Sequence, residues 1–172
     1  VRLTQRRDYQ FDIHFGAAIA PLLTDEPAPL GSGEGPSPDQ LLAAAVGNCL
    51  SASLLFSLRK YKQQPEPITA ELTVETGRNA ENRLRVNTLR VVLKLGQPAA
   101  ALQHLDRALA SFEDFCTVTQ SVRGSIEVEV HEVEDLAEVD RERLGTLADE
   151  DLRARGGAAW NRDVELMCRG VG

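Results

Sequence analysis

Cysteine is scarce in this sequence: three residues in 172, beside one tryptophan and one methionine. An odd, low cysteine count argues against a secreted disulfide scaffold, which at this size carries more cysteines and carries them in pairs. No Cys-x-x-Cys occurs, and His14, His104 and His131 stand far apart, so the spacing of a metal site is missing. Neither a metal nor a cofactor is expected. An excess of basic charge is missing as well. The net charge is −7 and the isoelectric point about 5.0. That balance argues against a nucleic-acid partner and against binding to an anionic membrane surface. No stretch is apolar over about 18 residues, so no transmembrane helix is expected. Val1-Arg2-Leu3-Thr4 shows no signal-peptide pattern. A reducing, cytoplasmic setting follows as the expectation.

Apolar side chains are plentiful by contrast, at 42%, enough for the core of one domain with an appendage. Short strands are expected over 1–4 and 10–15, with Arg6-Arg7-Asp8 as the turn between them. In the second, Phe11, Ile13 and Phe15 share one face, while Asp12 and His14 share the other. A loop rich in Pro and Gly fills 25–36. Ser37-Pro38-Asp39-Gln40 then carries a helix start: Ser as N-cap, Pro at the first helical position, Gln at the capping-box position. The helix is expected to run over 38–62. Its middle, 41–56, is almost free of charge and apolar on nearly all sides, which predicts burial all round and contact with a partner chain. Ala43, Ala44, Ala45 and Gly47 leave room for another helix to approach.

Alternation predicts strands over 68–76 and 84–95, paired antiparallel. A second helix is expected over 99–115, because Leu102, Leu105, Leu109, Phe112 and Cys116 step by 3, 4, 3 and 4. A last strand covers 125–130. The composition then changes. Residues 132–172 hold 11 acidic and 6 basic side chains, against 15 and 13 before them, so most of the negative charge sits in this tail. The tail is read as an acidic extension to a domain of residues 1–131, with a solvated helix over 137–155. Cys168 and Trp160 lie in it.

Cys49 and Cys116 both fall on apolar helical faces, where a cysteine commonly packs as an inert small hydrophobe. Cys49, however, sits in Gly47-Asn48-Cys49-Leu50-Ser51, a patch of small and polar residues inside a greasy helix. A thiolate near a cation attacks a peroxide to give a sulfenic acid, and a second cysteine condenses with that acid to a disulfide. Arg6-Arg7 is the early basic cluster, equally readable as a charged turn.

The stretch from Asp25 through Gly31-Ser32-Gly33-Glu34-Gly35-Pro36-Ser37-Pro38-Asp39-Gln40 to Cys49 resembles the OsmC/Ohr family, the osmotically inducible and organic hydroperoxide resistance proteins. A Gly-rich loop, a Pro, an acidic residue, an Ala/Leu-rich helix and a Cys ten residues after the acid occur in that order. The second family cysteine matches Cys116 in Phe115-Cys116-Thr117-Val118-Thr119. The chain departs from the hydroperoxide-resistance branch at Asp39, where that branch usually has Glu, and at Thr117, where it usually has Pro. It is therefore closer to the broader OsmC-like branch.

The resemblance implies an α+β OsmC-like fold, with antiparallel sheets wrapped around central helices in an intertwined homodimer. It implies a thiol-dependent peroxidase acting on organic hydroperoxides, with Cys49 as the peroxidatic and Cys116 as the resolving cysteine. A dithiol such as a lipoyl group would reduce the disulfide. Asp39 takes the family's acidic position, and Arg7, with Arg6 next to it, takes that of its N-terminal arginine. Ten residues of helix rise about 15 Å, so Asp39 would reach a Cys49 only on the partner chain. The alternative on the same fold is a non-catalytic stress or small-ligand-binding protein. A thiol–disulfide exchanger is disfavoured by the missing Cys-x-x-Cys.

Overall fold

The computed structural model describes residues 1–133. The expected tail helix over 137–155, Trp160 and Cys168 lie outside the described residues. The chain divides into two compact units between Leu41 and Leu42.

The first unit is a three-stranded antiparallel sheet followed by a loop. β1 (Arg2–Arg7), β2 (Gln10–His14) and β3 (Leu22–Thr24) lie in that order. Asp8, at φ 42°, turns the chain with Tyr9, so Arg6 and Arg7 belong to the strand and not to the expected turn. Gln5 pairs with Phe11 and Arg7 with Gln10, which leaves Arg6 as the extra residue of a β-bulge. At the end of this unit Gln40 Oε1 accepts the Ser37 amide at 3.0 Å, one half of the expected capping box. The Ser37 hydroxyl turns instead to the Asp39 carboxylate, which also accepts the Gln40 amide.

The helix opened by that cap, α1 (Pro38–Lys60), runs into the second unit. Val46, Leu50, Leu54 and Leu58, one turn apart, are fully or almost fully buried. They form one core with Leu89, Val91 and Leu93 of β5 (Leu84–Leu95) and Val128 of β6 (Glu127–Val133). Each such leucine contributes about 1.5–3 kcal/mol by leaving water. The opposite side of the helix, with Ala44, Ala45, Asn48, Ala52 and Phe56, is exposed. Burial all round is thus not met within the chain. By length and composition α1 could also cross a membrane, contrary to the expectation of no such segment. Its line of buried side chains marks it as the core helix of this unit. Gly47 serves a strand: a Cβ there would stand 2.5 Å from Leu72 Cδ1 of β4 (Ile68–Arg78).

β4 and β5 form the expected antiparallel hairpin, closed by Asn79, whose side chain accepts the amides of Glu81 and Arg83. β6 runs parallel to β5, so the sheet is mixed where antiparallel pairing was expected. The connection from Gly96 to Ile126 is long enough for that, since a parallel crossover needs about a dozen residues or more. It is not one helix. A 3₁₀ turn at Ala99–Ala101, α2 (Leu105–Leu109), a 3₁₀ turn at Phe112–Phe115 and α3 (Thr117–Val122) follow one another. His104 at φ 59° and Cys116 in an extended conformation interrupt the helical path. Ala108, Phe112 and Cys116 still point into the core, as the spacing predicted for the last two.

Candidate thiol site

Cys49 sits midway along α1, partly exposed; Cys116 is fully buried, and both are free thiols. The second unit packs Cys49 against the core that contains Cys116, close enough for each thiol to shift the titration of the other. Ser51, which looked out of place in an apolar helix, returns its hydroxyl to the Gly47 carbonyl at 2.8 Å, and Asn48 is exposed. Neither polar neighbour therefore disturbs the core.

Cys116 ends the Phe112–Phe115 turn and caps α3. Its amide donates to Glu113 and its carbonyl accepts the Gln120 amide, both at 3.0 Å. The first amides of a helix have no partner within the helix. Here those of Thr117 and Val118 favour the Cys49 thiolate, and that of Thr119 favours the Cys116 thiolate. Thr119 Oγ1 lies 2.9 Å from Cys116 Sγ, and Ser53, one turn beyond Cys49, adds its hydroxyl.

Burial pushes the Cys49 thiol up, and the hydrogen bond it shares with Cys116 adds to this. Burial acts against the Cys116 thiolate as well, but the hydrogen bonds from Cys49, Thr119 and Ser53 hold that thiol below its ordinary value. The two thiols are coupled, and the interaction between them favours the Cys116 thiolate over that of Cys49.

The charged residues singled out in the sequence lie in the first unit. Arg6 forms an ion pair with Asp12 at 2.8 Å. Arg7 donates from Nε to Gln10 Oε1 at 3.0 Å and from Nη2 to Glu34 Oε1 at 3.1 Å. Asp39 is occupied with the cap of α1 and has no ion pair among the described residues. One further carboxylate was given no role in the sequence. Asp25 is 2% exposed, and its Oδ2 accepts Gln10 Nε2 at 3.2 Å, the Ser32 amide at 3.1 Å and the Glu34 amide at 3.2 Å. Burial opposes its charge, but these hydrogen bonds prevail and hold its carboxyl below the ordinary value. Gly31 is required beside it, since a Cβ there would fall 2.1 Å from the Glu26 carbonyl and 2.4 Å from Asp25 Oδ1. Glu26 is shifted the other way, raised by burial and then by the carboxylates of Asp39 and Asp25.

Of the residues missed, Thr119 carried one local signal, its place three residues after a cysteine at a helix start. Gln10 and Asp25 carried none, because they meet across 15 positions of chain.

A family model described as OsmC-like protein matches residues 31–131. No curated protein matches the chain. Among solved structures, one from Psychrobacter arcticus 273-4, named for osmotic stress induction and detoxification response, aligns with a TM-score of 0.64 at 24% identity. The alignment covers 77% of this chain and 93% of that one. An OsmC-like protein of unknown function from Vibrio cholerae O1 gives 0.65 at 17% identity, over 77% and 96%. The organic hydroperoxide resistance protein OhrB of Bacillus subtilis gives 0.61 at 16% identity, also over 77% and 96%. At these identities the likeness shows a shared α+β fold.

Proposed function

This chain belongs to the OsmC-like protein family, and on that premise we propose that it is a thiol-dependent peroxidase reducing organic hydroperoxides through Cys49 and Cys116. The observation that carries the reading is the packing of a partly exposed thiol against the core that holds a fully buried one, whose sulfur lies 2.9 Å from Thr119 Oγ1 at the start of α3. Peroxide reaches the exposed partner; the buried one is shielded from it and poised for the second step.

In the first step the shared proton passes to Cys116 and the Cys49 thiolate attacks the terminal oxygen of the hydroperoxide. The O–O bond breaks, the leaving alkoxide takes up a proton to become the alcohol, and Cys49 becomes a sulfenic acid. In the second, Cys116 gives up the proton it took in the first step, and its thiolate attacks the Cys49 sulfur. The hydroxyl group leaves as water after gaining a proton, and a disulfide remains. A dithiol, possessing two thiols of its own, reduces that disulfide and closes the cycle. A lipoyl group fits this role by family resemblance, in the reducing cytoplasm.

Arg7 and Asp39 are proposed as the charged members of the site. Ten residues of helix separate Asp39 from the Cys49 of its own chain, so Asp39 is assigned to the Cys49 of a partner in a homodimer. The exposed side of α1, with Ala44, Ala45, Asn48, Ala52 and Phe56, supports such a partner, because a helix face of that composition gains by being covered.

The test is turnover of cumene hydroperoxide with dihydrolipoamide as reductant, with dimedone trapping of the sulfenic acid. Turnover and a trapped Cys49, both absent in Cys49→Ser, are expected. A Cys49→Ser variant as fast as the parent overturns the reading and leaves the non-catalytic, ligand-binding one.

A further inference from the structure

Arg7 ends an edge strand, and its side chain is 61% exposed. An arginine in such a place, paired with one carboxylate, gains little: exposed ion pairs are weak, and a long side chain keeps most of its rotamers. The partners of this guanidinium are themselves held, and both are held by the same atom.

That atom is Asp25 Oδ2. An ionised carboxylate only accepts hydrogen bonds, so whatever meets it must bring a hydrogen. Gln10, 3% exposed, therefore turns the NH₂ end of its amide inward to Oδ2. Only its carbonyl oxygen is left facing the other way, and there Arg7 Nε donates to it. A flipped amide would set two acceptors against each other on one side and two donors on the other. The second branch starts from the same oxygen. It accepts the Glu34 amide, and the Glu34 carboxylate accepts Arg7 Nη2. Arg7, Gln10, Asp25 and Glu34 thus close a ring. The guanidinium is gripped at Nε and Nη2, while Nη1 makes no hydrogen bond among the described residues.

We propose that Asp25 and Gln10 are positioning residues for Arg7: the buried carboxylate sets the amide of Gln10 and the backbone of Glu34, and through them the plane in which Arg7 presents Nη1 to an anionic group of the reaction. The role given to Arg7 rests on the reading of the preceding subsection. The ring does not. Asp25 is suited to the task because it never touches Arg7 and is sealed from water, so its geometry is fixed independently of whatever Arg7 binds. Gly31 belongs to the same arrangement, since only a residue without a Cβ lets the loop close over Asp25.

The experiment follows the Arg7 Nε–H resonance in the ¹⁵N-labelled full chain, assigned by its loss in Arg7→Lys. Solvent exchange of this proton is measured beside kcat and KM for cumene hydroperoxide. Asp25→Ala is expected to speed exchange about tenfold, as loss of a charge-assisted arrangement predicts. Asp25→Asn retains an acceptor oxygen and should return exchange to within about threefold of the parent. Turnover should fall in kcat with KM little changed, because orientation acts on the transition state. If Asp25→Ala does not fold, Gln10→Ala, compared with Asp25→Asn, decides the same question. Exchange within about twofold of the parent in a folded Asp25→Ala or Gln10→Ala overturns the proposal. A parent without peroxide turnover overturns the peroxidase reading instead; the exchange comparison still decides the ring.

Discussion

Thr119 Oγ1 stands 2.9 Å from Cys116 Sγ, and neither residue has any exposed surface. A hydroxyl buried with one sulfur as its partner favours the charged form of that sulfur. Thr119→Val keeps the shape and removes the hydrogen bond. Stability should fall by about 1 kcal/mol. Disulfide formation should slow about tenfold, because the Cys116 thiolate loses a donor. Cys49 should then be found as sulfinic acid at lower peroxide concentrations, read by mass spectrometry. A parent-like rate of disulfide formation would show that the hydroxyl only packs.

The two thiols should betray their coupling when one is removed. Burial raises the Cys49 thiol first, and the hydrogen bond and charge of Cys116 raise it further. In Cys116→Ser burial is the one raising influence left, beside the Thr117 and Val118 amides that lower the value and a hydroxyl that can donate. The pH midpoint of Cys49 alkylation by iodoacetamide should move down, and the rate at neutral pH should rise about threefold or more. An upward move would mean that Cys116 helps to ionise Cys49.

Position 117 tests what the chain gains from lacking a proline there. Thr117 is the first residue of α3, where proline fits a helix, and Cys116 before it is already extended. Thr117→Pro should therefore fold. It removes the amide that favours the Cys49 thiolate, so the alkylation midpoint of Cys49 should rise. An unchanged profile, measured beside an unchanged circular dichroism spectrum, would rule out that contribution.

Asp25 predicts the acid behaviour of the first unit. Its carboxyl is held below the ordinary value of 3.8, so it adds stability that is complete above that pH. The contribution is lost as the pH falls through the lower folded value. Glu26, raised, works in the opposite sense and favours the fold as it takes up its proton. In Asp25→Asn the acid limb of stability below about pH 4 should flatten, as seen in denaturant titrations at a series of pH values. A limb as steep as that of the parent would assign acid unfolding to other carboxylates.

A shared site makes a demand on mixtures. Asp39→Ala and Cys49→Ser, each inactive, should regain up to about one quarter of parent activity when refolded together, since one site in a mixed dimer is intact. Failure of mixed dimers, isolated by two tags, to turn over peroxide would place Asp39 and Cys49 in separate roles.

The helix that carries Cys49 was legible because its signals are local: Ser37 and Gln40 at its start and a long charge-free run after it. The thiol pair was legible through family spacing. The segment between 99 and 115 was not, although its buried positions were read in part correctly. Periodicity reports which side chains face the core, and it is blind to a left-handed His104 or an extended Cys116 that breaks the helix between them. The direction of β6 depends on the path of that broken crossover. Gln10 and Asp25 escaped for another reason. Their link is one hydrogen bond between a strand and the head of a loop, and no pattern along the chain encodes it.

The bulge in β1 has a consequence for how this sequence can change. Without its extra residue, position 6 would stand opposite Gln10, and position 7 would be passed on toward the turn. The bulge divides two adjacent cations between separate circuits, Arg6 to Asp12 and Arg7 to the ring on Asp25. Exchanging one arginine for another residue edits a single circuit. Deleting one residue from this strand rewires both, though an arginine would still be present. The strand is therefore more sensitive to length than to composition, and aligned relatives that carry an arginine here share its role only where they share the bulge.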